Sequence, residues 1–425
     1  MVGSPERFGG VQWKAAASCA LAVASTGSAY RPLARRGYPS TFTWLNGLVA
    51  SELPLLALAG QVAAVTAACR KLTPSALIAT GVCTIGQLGL DRAGRRADIP
   101  LARALDEGLG VGRLADPTSL WPNPTGRTGG AQRAQVVRSM LLRHRYVREA
   151  DISYGPYGVR NKLDIWRHPG LGDDANAPVL LQIPGGAWAM SGKRPQAYPL
   201  MGHLTERGWV CVSINYRLSP RSTWPAHLID VKQAISWVKQ NIADYGGDPN
   251  FIAISGGSAG GHLSSLAALT ANDPQYQPGF TEMDTAVQAA IPFYGVYDFT
   301  RRDGALHDMM VPFLERFVLK TRRADDPAVF AAASSITHVH RNAPPFFILH
   351  GRNDSFIPVE QARSFSARLR EVSAQPVVYA ELPYAEHAFD VLSTPRTVHA
   401  VTAVEQFLAD IYASTLNDTL KERRA

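Results

Sequence analysis

The stretch "FIAISGGSAGGHL", from Phe251 to Leu263, carries the strongest fold signal in the sequence. The apolar run Phe251–Ile254 is typical of a buried strand, and a G-x-S-x-G pattern centred on Ser258 follows it. A helix-like run begins at Gly260. A sharp strand-to-helix turn lifts the serine hydroxyl above the sheet, and it needs glycines where two backbones come close. The alternative is a glycine-rich turn that holds a serine by chance, but the flanking strand and helix favour a nucleophile elbow.

Short apolar runs alternate with helix-like runs after residue 150. The predicted strands are Ile152–Tyr154, Leu163–Trp166, Val179–Ile183, Trp209–Asn215, Phe251–Ser255, Val287–Tyr294, Phe346–His350 and Val377–Leu382. The predicted helices are Ala197–Arg207, Ala226–Tyr245, Gly260–Thr270, Val359–Val372 and Thr397–Ala413. This alternation predicts the α/β class, with a mostly parallel, doubly wound sheet. Ligands bind such sheets at the carboxyl ends of the strands.

A serine nucleophile needs a general base and an acid that orients the base. In this architecture the acid and then the histidine follow the serine along the chain, in loops after later strands. Asp354 follows the seventh predicted strand and His387 follows the eighth. Glu386 and Asp390 are alternative acids, although they flank the histidine and do not end a separate strand. We therefore predict Ser258, Asp354 and His387 as the catalytic residues.

The apolar run that begins at Val179 ends in the loop "IPGGAW". Attack by the serine creates an oxyanion, and preorganised N–H groups stabilise that charge. The residue after the nucleophile supplies one donor and the loop after the third strand supplies another. We predict Gly185, Gly186 and Ala259 as the oxyanion donors. The alternative for the two glycines is a simple Pro-Gly turn.

The segment from Tyr297 to Pro345 interrupts the alternation of strands and helices. It contains the apolar residues Met309, Met310, Phe313 and Phe317. One interpretation is an insertion that walls an acyl pocket together with Trp188 and Tyr294. The other is a crossover helix whose apolar residues face the core. Hydrophobic walls would favour uncharged substrates.

The region from about residue 150 to 413 resembles the α/β-hydrolase esterases of the hormone-sensitive-lipase-like branch. The stretches that carry the resemblance are "IPGGAW", "NYRLSP", "YGGDPNFIAISGGSAGGHL", "GRNDSFIP" and "EHAF". It implies a serine carboxylester hydrolase, esterase- or lipase-like, that forms an acyl-enzyme at Ser258 and acts on short- to medium-chain esters. The sequence leaves open an acyltransferase with the same triad and a non-catalytic binding protein. Pro184 stands where the family usually has a histidine, and we expect it to hold the loop by rigidity.

Residues 1–149 form a predicted helical, apolar extension with a linker, ahead of a catalytic domain at residues 150–415. The stretch "SELPLLALAGQ" resembles longer mycobacterial-type esterases with a helical extension. The uncharged runs Leu53–Cys69 and Leu72–Leu90 predict a helical hairpin, and each approaches the ~17–25 residues of a membrane span. Two interpretations remain: a packed helical subdomain, and membrane contact through residues 41–90. The localisation is accordingly membrane-associated or cytoplasmic, in a bacterium.

A linker is predicted over Ala93–Arg133, where Gly, Pro and Arg recur, and a helix over Gln132–Arg148. The net charge of +8 comes from scattered basic residues, so nucleic-acid binding is not expected. The 4 cysteines have no C-x-x-C spacing, and no phosphate-loop or dinucleotide pattern occurs. We expect no metal and no organic cofactor, and a small-molecule or lipid ester as the substrate. The sequence does not fix the oligomeric state.

Overall fold

A computed structural model describes residues 6–33, 39–69, 73–112, 120, 143–190, 192–300 and 310–422. Its central sheet has eight strands in the order β1-β2-β4-β3-β5-β6-β7-β8. They are β1 Val147–Ser153, β2 Lys162–Trp166, β3 Ala177–Ile183, β4 Val210–Ile214, β5 Gly247–Gly257, β6 Ala289–Phe293, β7 Phe346–Gly351 and β8 Val377–Leu382. β2 pairs antiparallel with β1 and β4, and every pair from β4 to β8 is parallel. The mostly parallel α/β sheet is confirmed.

Helices cover both faces of this sheet. Successive residues of the buried strand β3 point to opposite faces of the sheet. Leu181 belongs to the apolar cluster on one face, and Leu180 belongs to the apolar cluster on the other. The helices of this unit are α6 Arg143–Tyr146, α7 Tyr198–Glu206, α8 Ala226–Asn241, α9 Ala259–Leu269, α10 Met310–Phe313, α11 Pro327–Ala332, α12 Glu360–Val372 and α13 Pro395–Glu422. The cluster around Leu181 includes α8, α9 and α12 residues, and that around Leu180 includes α7 and α13 residues.

The described part of the chain begins with a unit of four helices: α1 Glu6–Tyr30, α2 Pro39–Glu52, α3 Pro54–Ala68 and α4 Pro74–Arg95. Each of them contacts the other three. The pair α3 and α4 corresponds to the predicted hairpin, and Thr73 caps α4 by accepting a hydrogen bond from the Ala76 N–H at 3.2 Å. No single helix in the described ranges is long and apolar enough to cross a membrane. Thr41–Glu52 and Pro54–Ala68 meet that criterion only as a pair, bent by 113°.

The predicted linker over Ala93–Arg133 is wrong for its first part, because α4 continues to Arg95 and a further helix, α5, spans Asp98–Leu109. This helix packs on β8 and α13, with Leu105 buried. A Cβ atom at Gly108 would lie 2.6 Å from Val378 Cγ2, so the helix backbone rests directly on the strand. The tertiary contact fixes a helix where composition suggested a loop.

The predicted helix over Gln132–Arg148 is only partly supported. Its residues up to Leu142 lie outside the described ranges, and Arg143–Tyr146 forms the short helix α6. The last two residues, Val147 and Arg148, belong to β1, which pairs with β2. The sheet therefore begins slightly before residue 150. At the other end, α13 continues to Glu422, beyond the expected limit at residue 415.

The four N-terminal helices are attached to the sheet unit by buried polar contacts. Arg396 Nε lies 2.8 Å from Glu52 Oε1, and the side chains of both residues are almost completely buried. Thr394 donates to Glu52 Oε2 at 2.9 Å. On the loop after β7, Asn353 Nδ2 donates to the Ala29 carbonyl at 2.6 Å. These contacts hold the helices against the loops that follow β7 and β8.

Candidate active site

The strand-to-helix turn at Ser258 is built by close backbone contact between β3, β5 and α9. A Cβ atom at Gly260 would lie 2.2 Å from the Ile183 carbonyl oxygen, and one at Gly256 would lie 2.4 Å from the Gly260 carbonyl carbon. Only glycine fits at either position. Ser258, between them, has φ of 57° and ψ of −119°, a strained conformation for a residue with a side chain. Its side chain is half-buried at the carboxyl edge of the sheet.

The loops after β7 and β8 bring Asp354 and His387 together. Asp354 Oδ2 lies 2.7 Å from His387 Nδ1, and Oδ1 accepts the Ile357 N–H at 2.7 Å. His350 Nε2 is 3.3 Å from Asp354 Oδ2 and donates to the Ile357 carbonyl. Burial would raise the pKa of Asp354, but the two imidazoles outweigh burial and hold that pKa below its ordinary value. An ionised Asp354 fixes the His387 tautomer with its proton on Nδ1.

The other two carboxyls near His387 do not contact its ring nitrogens. Glu386 Oε1 accepts the His387 N–H at 2.9 Å and the Ser355 N–H at 2.6 Å. Burial and the negative charge of Asp354 raise the pKa of Glu386 to about 9, so this side chain is protonated at neutral pH. Asp390 accepts a hydrogen bond from Tyr294 Oη, and burial raises the pKa of Asp390. Of the three carboxyls, Asp354 is the one on His387 Nδ1.

Tyr294 lies between the elbow and the histidine. Its ring centroid is 4.7 Å from that of His387, and a Cβ atom at Gly257 would lie 2.8 Å from Tyr294 Oη. Tyr294 therefore lies against both the residue before Ser258 and the ring of His387. Among the described contacts, Ser258 Oγ forms no hydrogen bond.

The loop after β3 lies against the elbow, as the sequence predicted, but its first glycine is already engaged. The Gly185 N–H donates to Gln196 Oε1 at 2.6 Å, which commits this predicted oxyanion donor to a side chain. The backbone then turns through positive φ at Gly186 (115°) and Ala187 (50°). Within the described part of the chain, the N–H groups of Gly186, Ala187 and Ala259 have no hydrogen-bond acceptor.

Two side chains hold this loop where the family usually has a histidine. Tyr216 Oη donates to the Pro184 carbonyl at 3.0 Å, and Gln196 binds the Gly185 N–H. Tyr216 belongs to the stretch "NYRLSP", which the sequence analysis had singled out without a role. Gln196 carried no signal. The rigidity of Pro184 is therefore supplemented by two polar contacts.

The predicted pocket residues are both buried. Trp188 is 2% exposed, and its Nε1 donates to His262 Nδ1 at 3.0 Å. Burial lowers the pKa of His262 to about 4, which keeps this ring neutral and able to accept. Tyr294 is 5% exposed. A pocket-lining role for either residue stays a prediction.

The inserted segment is described from Met310 onward, and Met309 lies outside the described ranges. Met310, Phe313 and Phe317 are half-buried against the larger apolar cluster. Core-facing apolar residues were the second of the two interpretations for this segment. These side chains also keep part of their surface exposed, and their role in the wall of an acyl pocket stays a prediction.

Trp44, on α2, contacts the histidine loop and carried no sequence signal. Its Nε1 donates to the His387 carbonyl oxygen at 2.9 Å, across a separation of 343 residues. The Trp44 ring lies 5.1 Å from Phe356, which packs 5.7 Å from the His387 ring. A Cβ atom at Gly47 would lie 2.8 Å from Glu386 Oε2, so α2 rests directly on this loop. The N-terminal helices thus contribute to the surroundings of His387.

Among the residues that the structure describes, no group of three or more His, Cys, Asp or Glu side chains is placed to hold a metal ion. The buried cysteine Cys211 has a pKa raised to about 12 by burial, so its thiol is not a reactive nucleophile.

Known proteins with similar sequences are esterases. The family model described as BD-FAE matches residues 163–369. The chain is 55% identical to the "Probable carboxylic ester hydrolase LipM" of Mycobacterium tuberculosis, over 93% of this chain and 92% of that protein. It is 50% identical to "Esterase LipQ" of the same organism, over 89% of this chain and 86% of that one. Both matches extend well into the N-terminal helices.

Among solved structures, the butyrate-bound esterase Est2 of the planctomycete Thermogutta terrifontis superposes with a TM-score of 0.53 at 25% identity. The match covers 62% of this chain and 94% of that one. The sheet order, the strand-to-helix turn at Ser258 and the extended mycobacterial matches agree with one another. The chain belongs to the α/β-hydrolase esterases of the hormone-sensitive-lipase-like branch, and within that branch it is similar to long mycobacterial-type carboxylic ester hydrolases with a helical N-terminal extension.

Proposed function

We propose that this carboxylic ester hydrolase cleaves uncharged esters through a Ser258–His387–Asp354 triad and an acyl-enzyme. The observation that carries the proposal is the 2.7 Å contact between Asp354 and His387 Nδ1, at the sheet edge where the elbow presents Ser258. With Nδ1 protonated and held by a carboxylate, Nε2 is the basic nitrogen. It can accept the serine proton as the hydroxyl attacks the ester carbonyl.

The histidine carries the proton through both halves of the reaction. His387 Nε2 takes the proton from Ser258 Oγ as the Oγ–carbon bond forms, and it returns that proton to the departing alkoxide. The acyl group is left on Ser258. Water then attacks the acyl carbon, gives a proton to Nε2 and releases the acid when that proton returns to Ser258 Oγ. The negative charge of Asp354 stabilises the imidazolium at each stage.

The oxyanion is assigned to the N–H groups of Gly186, Ala187 and Ala259. Gly186 and Ala259 were predicted from the sequence, and the support for them is that neither N–H has an acceptor in the described structure. Ala187 replaces Gly185, whose N–H binds Gln196. Donors that are already oriented stabilise the charge that develops in the transition state without reorganisation.

The substrate class is proposed to be short- to medium-chain, uncharged esters. The half-buried Met310, Phe313 and Phe317 offer apolar surface in the inserted segment. The related Thermogutta esterase binds butyrate. An acyltransferase with the same triad would differ only in the acceptor that resolves the acyl-enzyme, so product analysis in water distinguishes the two.

Ser258→Ala should lower kcat/KM for p-nitrophenyl butyrate by at least about 10⁴-fold, because the nucleophile is lost. It should also abolish covalent labelling by a fluorophosphonate probe, read on a gel. Ser264→Ala, the same change later in α9, serves as the control and should keep both activity and labelling. Undiminished labelling of Ser258→Ala would refute the assignment of the nucleophile.

Asp354→Asn should lower kcat by about 10⁴-fold, because an amide does not stabilise the imidazolium and favours the wrong tautomer. Glu386→Gln is the matched control. It retains the Oε1 acceptor for the Ser355 and His387 N–H groups, so its kcat should fall less than about tenfold. Steady-state kinetics on the same ester decide between them. The reverse ranking would make Glu386 the catalytic acid.

Glu386 should also make the wild-type protein less stable as pH rises. Its pKa is about 9 when folded and near 4.5 in its ordinary state, so between these values the unfolded chain releases a proton that the folded chain keeps. The stabilising contribution is complete below pH ~4.5 and is lost progressively up to pH ~9. The urea unfolding midpoint of Glu386→Gln, taken relative to that of the wild type, should therefore rise from pH 5 to pH 8. A relative midpoint that falls over this range would contradict the assigned protonation.

Trp44→Phe should reduce kcat by about two- to tenfold and leave KM nearly unchanged. The His387 carbonyl loses its hydrogen-bond donor, so the imidazole ring is held less firmly in position. Trp13→Phe, on an exposed part of α1, is the control and should change neither constant. Separate determination of kcat and KM provides the check. A rise in KM with constant kcat would instead place Trp44 in substrate binding.

A further inference from the structure

Helix α4 turns five of its six large aliphatic side chains outward, and the sixth, Leu90 near its end, is buried. Ile78 is 68% exposed and Ile85 is 76% exposed. With them on one outward stripe lie Leu77, Val82 and Leu88. The inward face carries small or polar residues: Ala76, Ala79, Cys83 and Gln87 are all buried. A helix that packs on a protein core and faces water has the opposite arrangement, with large apolar residues inside and polar residues outside.

The four-helix unit contains a cluster of polar side chains beside a cluster of small apolar residues. Gln87 is completely buried, and its Nε2 contacts Thr26 Oγ1 and Gln61 Oε1, each at 3.5 Å. Gln61 Nε2 donates to Ser25 Oγ at 3.2 Å, and Ser25 donates to Asn46. Polar side chains from α1, α2, α3 and α4 thus contact one another between the helices, beside small buried apolar residues, while most of the large aliphatic groups of α4 lie outside. The hydrophobic effect does not drive helices together within lipid, and polar contacts of this kind between helices help to stabilise their association.

The other helices show the same polarity. Leu55 and Leu56 on α3 are 52% and 64% exposed, and Leu21 on α1 is 70% exposed. On α2, Phe42 and Leu45 are also exposed. Because each of the four helices contacts the other three, their outward faces point in different directions. A protein partner, including a second copy of this chain, would cover one side, whereas lipid surrounds all of them.

The distribution of charge also fits contact with a bilayer. α3 has no charged residue, and α4 has none from Pro74 to Leu90. That stretch is about 25 Å long, short of the ~30 Å of a hydrocarbon core, so the helices would enter the bilayer as a group and not as single spans. Exposed cations stand at both limits: Lys14 lies beside the end of α3, and Arg92 and Arg95 follow Leu90. Such cations suit anionic lipid headgroups.

We propose that α1–α4 are embedded in a lipid bilayer and hold the active site at its surface. Trp44 on α2 contacts the His387 carbonyl, so the catalytic loops lie at the base of the embedded unit. Ester substrates dissolved in the bilayer then reach the site without crossing water. This last consequence rests on the proposed function, whereas the embedding rests only on the polarity of the helices.

Flotation with vesicles tests the embedding. Full-length protein, purified in mild detergent, is mixed with vesicles of phosphatidylcholine containing a minority of phosphatidylglycerol, and the detergent is removed before centrifugation. Wild type should float with the vesicles. Ile78→Glu combined with Ile85→Glu should lower the ratio of bound to free protein by more than about tenfold, because each charge opposes entry into hydrocarbon. Val159→Glu, at a site 73% exposed in the catalytic unit, should float like wild type.

Other outcomes would overturn the proposal. Wild type that stays at the bottom of the gradient without detergent refutes the embedding. So does a soluble dimer that the double substitution converts to a monomer, since the apolar face would then be an interface between copies. Hydrolysis of soluble p-nitrophenyl butyrate by the double variant should match wild type, which shows that it is folded, while hydrolysis of an ester dissolved in the vesicles should fall. Flotation is independent of activity, so failure of the catalytic assignment is seen separately.

Discussion

The close approach of three backbones at the end of β5 is the constraint on which the active site depends. Gly260 leaves no room for a Cβ atom against the Ile183 carbonyl, and Gly256 leaves none against Gly260. This contact places the loop after β3, Ser258 and the start of α9 at one point. Because the neighbouring strands are parallel, the loops after β7 and β8 end at the same edge. A side chain at either glycine would separate the parts that must act together.

Asp354 and His387 are held from two directions. From within, the sheet places them after adjacent strands, and ionised Asp354 sets the tautomer of the imidazole. From outside, α2 contacts the loop after β8 through Trp44 and the start of α13 through the buried pair of Glu52 and Arg396. Removal of one partner of such a pair leaves an unpaired buried charge, which costs about 3–5 kcal/mol. The N-terminal helices therefore form part of the surroundings of His387.

Two opposite arrangements of polarity meet in one chain. The sheet unit buries aliphatic and aromatic side chains on both faces of its strands, as a water-soluble protein does. The four preceding helices bury Gln87 and Thr26 and expose many of their isoleucine and leucine side chains. The two arrangements meet where Glu52 contacts Arg396 and where Trp44 contacts the His387 loop. Under the proposed function, the reaction takes place at this boundary.

The sequence by itself determined the features whose signals are local. Eight strands, the strand-to-helix turn at Ser258 and the positions of Asp354 and His387 after β7 and β8 follow from periodicity, glycine spacing and strand ends. Only the tertiary structure decided that the Gly185 N–H is taken by Gln196, that Trp44 supports His387, and that a helix packs on β8 where composition indicated a linker. Hydrogen bonds and packing between distant segments depend on where the chain returns in space. They leave no pattern in the neighbouring residues, so no local reading of the sequence contains them.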